Sequence, residues 1–187
     1  MAGDGRELDR IHFFSSLAQR ERELISRHGK WKKFNPGEPI IDRQAESRDI
    51  YFVVTGRVRI IIYSMGGREV ALADLVPGEY FGELAAIDGA PRSASVMAVE
   101  ATVVMAMSPE QFVRLISEHP TLALDVMRRL TSIVRHATDR IMELSTLGAN
   151  NRVHAELLRQ ARAAGRDDSG KVVLRGPFPF TAILRVA

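Results

Sequence analysis

The sequence predicts an α+β protein: an antiparallel β-roll or jelly roll with flanking helices, then one long helix and a smaller C-terminal part. Three observations carry this. Between Lys33 and Met107, short β-branched and aromatic runs alternate with glycine and proline turns at even spacing, the pattern of a folded-over antiparallel sheet. Before it, Leu8, Ile11, Phe14 and Leu17 recur at helical spacing. After it, residues 121–147 contain neither proline nor glycine, so nothing local interrupts a helix. The expected boundaries are 1–120 for the roll with its flanking helices, 121–147 for the long helix and 148–187 for the remainder.

Taken in order, residues 8–28 read as short helices, with a charged Gln19-Arg20-Glu21-Arg22-Glu23 run before Leu24-Ile25. Phe13, Phe14, Leu24 and Trp31 are expected to pack in the core. Pro36-Gly37 and Pro77-Gly78 mark turns, each followed by glutamate. Ile50-Tyr51-Phe52-Val53-Val54, Thr55-Gly56 and Val58–Tyr63 read as a hairpin. A second tight turn, Ser64-Met65-Gly66-Gly67, leads into a strand over Glu69–Leu75. Ser95–Val99 and Thr102–Met107 are the closing strands. Ser108-Pro109-Glu110-Gln111 has the chemistry of a helix start: serine at the cap, proline first, glutamine third.

In the long helix, Ala123, Val126, Leu130, Ile133, Ala137, Ile141 and Leu144 are separated by three or four residues, close to a heptad seam. Packing on the roll accounts for its first turns; the full seam points to a parallel homodimer. Leu147-Gly148-Ala149 interrupts the pattern. Beyond it, Val153, Leu157 and Ala161 mark another helix, and Lys171-Val172-Val173-Leu174 a short strand.

At 187 residues and 45% hydrophobic content the chain suits one substantial domain with a smaller appendage. No apolar run is long enough to span a membrane, and Met1–Glu7 holds no apolar signal core, so the expected location is cytoplasmic. The absence of cysteine excludes disulfides, thiolate zinc sites and cysteinyl iron–sulfur clusters from this chain. The five histidines show no metal-site spacing, and no metal or cofactor is expected. Residues 128–187 hold 11 Lys and Arg against 5 Asp and Glu, while residues 1–127 hold 15 against 18. A basic C-terminal third suits nucleic-acid contact and equally a solvated arginine face.

The chemistry concentrates in Phe81-Gly82-Glu83-Leu84-Ala85-Ala86-Ile87-Asp88-Gly89-Ala90-Pro91-Arg92-Ser93-Ala94-Ser95-Val96. Glycine lets backbone N–H groups approach an anion. Arginine offers a forked, permanent cation for phosphate, and a carboxylate accepts from sugar hydroxyls. A surface loop with an Arg–Glu pair is the plainer reading. The order Phe-Gly-Glu-Leu-Ala, short helix, Pro-Arg-small-Ala-Ser-Val resembles the phosphate-binding cassette of cyclic nucleotide-binding domains. With the long helix, the hinge at Gly148 and the helix and strand beyond, the layout resembles the bacterial Crp/Fnr regulators.

That resemblance implies residue roles. Glu83 would accept from the ribose 2′-hydroxyl, and Arg92 would pair with the cyclic phosphate. The N–H groups of Gly82 and Ala85 and the Ser93 side chain would complete the cradle, with Leu84 inside the same motif. Ile60 and Leu72 would pack on the sugar or base. Where the family places a hydroxyl pair on the long helix, this chain has Ala137 and Thr138, and Thr138 is the expected base contact. cAMP is the expected ligand, with cGMP as the alternative. A winged helix would need a recognition helix that nothing after Leu174 supplies, so residues 148–187 read as a partial winged-helix domain, and DNA is an expected partner only if that helix follows in the gene. The function implied is a Crp/Fnr-type transcriptional regulator; a stand-alone nucleotide-sensing module, kinase- or channel-like, is the second reading. No grouping of nucleophile, base and carboxylate suggests an enzyme.

Overall fold

A computed structural model describes residues 6–64, 67–146 and 158. The chain divides into two compact units, Met1–Met127 and Arg128–Ala187. The first unit opens with two 3-10 segments, Arg6–Arg10 and His12–Phe14, then helix α1 (Gln19–His28). Eight strands follow: β1 (Lys30–Phe34), β2 (Pro39–Ile41), β3 (Ile50–Thr55), β4 (Val58–Tyr63), β5 (Glu69–Leu75), β6 (Tyr80–Phe81), β7 (Ser95–Ala98) and β8 (Thr102–Met107). Helix α2 (Glu83–Asp88) lies between β6 and β7; α3 (Pro109–Glu118) and α4 (Pro120–Thr146) follow β8.

The strands form two four-stranded antiparallel sheets, ordered β1-β8-β3-β6 and β2-β7-β4-β5. Between them lies a cluster of Ile41, Tyr51, Val53, Val58, Leu75, Phe81, Val96, Val104 and Ala106, with Phe34, Ile40 and Ile60 against it. The α+β roll expected from the strand spacing is therefore the fold.

One pairing differs from expectation. Residues 50–63 read as a hairpin, yet β3 pairs with β6 and β8 while β4 pairs with β5 and β7. The reason is the burial of β3 on both faces. Tyr51 and Val53 face the inner cluster, whereas Phe52 packs outward on Phe13, Phe14 and Tyr80, with centroids 5.6, 4.7 and 5.8 Å away. A strand apolar on both faces has no alternation from which to read its partner. Thr55-Gly56 thus carries the chain from one sheet to the other, while the β4–β5 hairpin forms as expected.

The N-terminal apolar residues behave as helical spacing requires: Leu8, Ile11, Phe13, Phe14 and Leu17 are buried. Leu24 is a correction. It is half-exposed, because α1 turns Ser26 rather than Leu24 inward. Trp31 is half-buried and donates its Nε1 to Ser26 O at 3.0 Å.

The two Pro-Gly-Glu turns close in one way. Asn35 N donates to Glu38 Oε2 at 2.7 Å, and Val76 N donates to Glu79 Oε2 at 2.9 Å. The bonds from Asn35, side chain first and then backbone, hold the Glu38 carboxyl below the usual carboxylate range. A depressed folded pKa contributes stability above the unfolded pKa and loses it as pH falls through the folded one. Replacing Glu38 by Gln is therefore expected to lower the melting temperature slightly at pH 7, with the difference from wild type vanishing in acid. Paired melts at several pH values check this.

At the C-terminal side, Ser108 caps α3 as its sequence requires, accepting from Gln111 N at 3.3 Å, with Pro109 in the first turn. α4 runs for 27 residues. Leu122 and Val126 are buried, while Leu124, Met127, Ile133, Val134, Ile141 and Met142 are exposed. The hinge at Gly148 and the helix and strand expected after it lie outside the described residues.

Candidate functional site: a buried arginine beneath a short helix

The site is built where β6 runs into α2. Gly82 caps that helix with φ 88°, in the left-handed region, which an L side chain enters only at a cost. Space forbids a side chain too: a Cβ there would lie 2.7 Å from Arg92 Nη1 and 2.9 Å from Asp49 O. Glycine is needed twice over, for the turn and for the close approach of Arg92. Gly89, at the other end of α2, is left-handed as well (φ 69°), but a Cβ there would meet nothing within 4 Å. Gly82→Ala is thus expected to weaken ligand binding at Arg92 by displacing that side chain, and to destabilise the fold by roughly 1–3 kcal/mol. Gly89→Ala should cost stability alone. Melting curves and titrations of both variants separate strain from site damage.

Arg92 is only 4% exposed. Its Nη1 donates to Gly82 O at 3.2 Å and its Nη2 to Asp49 O at 2.8 Å. Its Nε is buried with no hydrogen-bond partner. A guanidinium carries five N–H donors and stays charged, so donors remain for an anion. Burial lowers the Arg92 pKa, and Tyr51, Asp49 and Glu83 act in the opposite direction. Glu83, the first residue of α2, is 6% exposed. Two opposite charges withdrawn from solvent in one place are costly unless used or paired, which separates this pair from a surface salt bridge. An orphaned buried donor beside a carboxylate fits a ligand that joins an anion to hydroxyls, such as a sugar phosphate.

The structure brings Gly82, Glu83, Ala85 and Arg92 together. Ala85 is buried, Leu84 is 38% exposed and Ser93 is exposed. Ile60 sits against the inner cluster. Leu72 does not: it falls where the β4–β5 register skips, between the pairs Ile60↔Ala73 and Ile61↔Ala71, and is 57% exposed. Thr138 lies on α4, exposed, donating its Oγ1 to Val134 O at 2.9 Å.

Sequence reading missed the supports of the arginine. The Asp49 carbonyl comes from 43 residues upstream, at the end of a β2–β3 connection whose beginning is tied to the cassette by the bond from Arg43 N to Ser95 Oγ at 3.0 Å. A backbone carbonyl leaves no mark in a sequence. Tyr51 was legible only as a strand residue; its ring stacks on Phe81 at 5.3 Å and lies 6.0 Å from the Arg92 guanidinium carbon.

Among the described residues no cluster of His, Asp and Glu could hold a metal ion, and no helix is long and apolar enough to cross a membrane.

The likenesses to known proteins fall on the same elements. Residues 31–119 match the cyclic nucleotide-binding domain family. The chain is 35% identical to the cyclic AMP receptor protein of Thermus thermophilus over 149 residues, which are 80% of this chain and 69% of that protein. The crystal structure of the Thermus thermophilus catabolite activator protein superposes with a TM-score of 0.65 at 34% identity, covering 82% of this chain and 72% of that one. Similarity to the cAMP-dependent protein kinase regulatory subunit of Mycosarcoma maydis is 33% over 111 residues, 57% of this chain but 21% of that protein. With the roll, the cassette and these likenesses in agreement, the chain belongs to the Crp/Fnr family of cyclic nucleotide-binding regulators.

Proposed function

We propose that this protein is a cAMP-responsive regulator that binds the nucleotide in the β-roll and works as a homodimer. The observation that carries the ligand reading is the buried Arg92 with an unpartnered Nε beside the buried Glu83. Phosphate would sit on the guanidinium and the N–H groups of Gly82 and Ala85, and the ribose 2′-hydroxyl would donate to Glu83. The similarity to a protein named for cyclic AMP favours cAMP over cGMP, with Thr138 as the base contact. The exposed apolar side chains along α4, Ile133, Val134, Ile141 and Met142 among them, support pairing of that helix with its copy. Nucleotide binding would shift the population between two arrangements of the paired helices and so reposition residues 148–187. DNA would be the target of that movement in a chain carrying a recognition helix, and the cytoplasm its place.

The test is calorimetric titration with cAMP and with cGMP. Binding of cAMP tighter than about 100 µM, and tighter than cGMP, is the expected result. No heat with either nucleotide refutes the ligand; a monomer in sedimentation with and without nucleotide refutes the dimer. The likeness to the kinase regulatory subunit favours a second reading, a sensing module acting on a protein partner without DNA. Duplex DNA retention that rises with cAMP decides against it.

A further inference from the structure

The cassette arginine is held from below as well as from its edges. Its two carbonyl contacts, Gly82 O and Asp49 O, fix the guanidinium at two points and leave rotation about the line joining them. The ring of Tyr51 meets that freedom, with the guanidinium carbon 6.0 Å from its centroid. Tyr51 is 3% exposed and locked in turn: it pairs with Phe81 across β3–β6 and stacks on it with an interplanar angle of 11°. The carbonyl and the ring come from one segment, Asp49 and Tyr51 being two residues apart where β3 begins. Lys32 Nζ lies 5.3 Å from the same centroid, so one ring serves two cations.

We infer that Tyr51 is a positioning residue for phosphate recognition, its ring face holding the Arg92 guanidinium in the plane that leaves Nε turned to the ligand. The physical reason is the negative face of the aromatic quadrupole, which attracts a cation and does so more strongly where water is excluded. A free arginine side chain has rotamer entropy to lose on binding an anion; one already seated on a ring and two carbonyls has lost it before the ligand arrives. The ring, not the hydroxyl, does this, so phenylalanine serves and an aliphatic residue of similar bulk does not.

The inference rests on the cyclic nucleotide reading for its affinity consequence and on the fold alone for its spectroscopic one. Tyr51→Phe and Tyr51→Leu are compared with wild type by cAMP titration, by thermal melting and by 15N–1H correlation of the arginine Nε–H groups, Arg92 being assigned through Arg92→Lys. Expected is an affinity within about twofold of wild type for Tyr51→Phe and a loss of about 3- to 30-fold for Tyr51→Leu, the range of a cation–π contact. The Arg92 Nε–H proton should keep its ring-shifted position in the phenylalanine variant and move to that of the other arginines in the leucine variant. The leucine loss should persist in a Lys32→Gln background, which isolates the Arg92 contact from the Lys32 one. An unmoved Arg92 resonance in Tyr51→Leu overturns the inference even if no cyclic nucleotide binds wild type, a result that would count against the ligand reading alone. Equal losses for Phe and Leu, or a loss that disappears with Lys32→Gln, overturn it as well.

Discussion

Arg92→Gln is expected to lower cyclic nucleotide affinity by two orders of magnitude or more while Arg59→Gln leaves it unchanged. Both residues are arginines with good partners, and burial decides between them. Arg59 makes a bidentate pair with Asp74 at 2.6 and 2.7 Å, which raises its pKa, but about a third of each side chain is exposed. Solvent screens such a pair, and its removal costs about 0–1 kcal/mol of stability. Arg92 is nine-tenths withdrawn from water. A hydrogen bond to a charged partner is worth roughly 1.5–3 kcal/mol, and leaving the other partner unsatisfied adds its desolvation. Two such bonds to a phosphate, with no water to replace them, exceed the 1.4 kcal/mol of a tenfold change by a wide margin.

The same substitution also strips the donors from Gly82 O and Asp49 O, which costs stability by itself. Arg92→Lys separates the effects, since it keeps the charge and loses the fork. Its melting temperature should lie closer to wild type than that of Arg92→Gln, while its affinity stays at least tenfold reduced. Titration of cAMP into folded Arg92→Lys at wild-type affinity would remove the guanidinium from the proposed site.

How far the sequence disclosed this follows from what each residue type can signal. Gly82 serves the turn at the head of α2, but a buried arginine and a buried glutamate so close to it are costly for a fold to keep without a use, so their types speak for a ligand. α4 was legible because an uninterrupted stretch with helical spacing has few other uses. The sheet pairing of β3 was not, because Tyr51, Phe52 and Val53 are apolar whichever face they take, and Leu24 was misplaced because two adjacent apolar residues, Leu24 and Ile25, on a charged ten-residue helix do not reveal which way the helix turns. Asp49 acts through its carbonyl, which every residue has. The proposed base contact is least legible of all, since Thr138 carries no mark beyond its position on α4.

β3 also supplies the largest expected stability effect, and its alternation separates that effect from binding. Phe52 is fully buried on the face away from Tyr51, among Phe13, Phe14 and Tyr80, with Phe112 of α3 joined through Phe13 at 6.0 Å. Truncating a core phenylalanine to alanine costs about 3–5 kcal/mol, and the lost aromatic contacts put Phe52→Ala near the upper end. Against a typical total of roughly 5–15 kcal/mol that is a large fraction, and it should lower the melting temperature by roughly 10–20 °C. Tyr63→Ala, half-exposed on β4, should shift it by no more than a few degrees. The affinity of the folded fraction for cAMP should change little in Phe52→Ala, because its cavity opens between the sheet and the helices rather than beneath the cassette. Tyr51→Leu, one residue earlier, should lose affinity with its Arg92 resonance displaced. Neighbouring positions on one strand then report on opposite faces of one sheet. Chemical denaturation with titration at low denaturant tests the pair together, and an affinity loss in Phe52→Ala equal to that in Tyr51→Leu would show that the two faces are not independent.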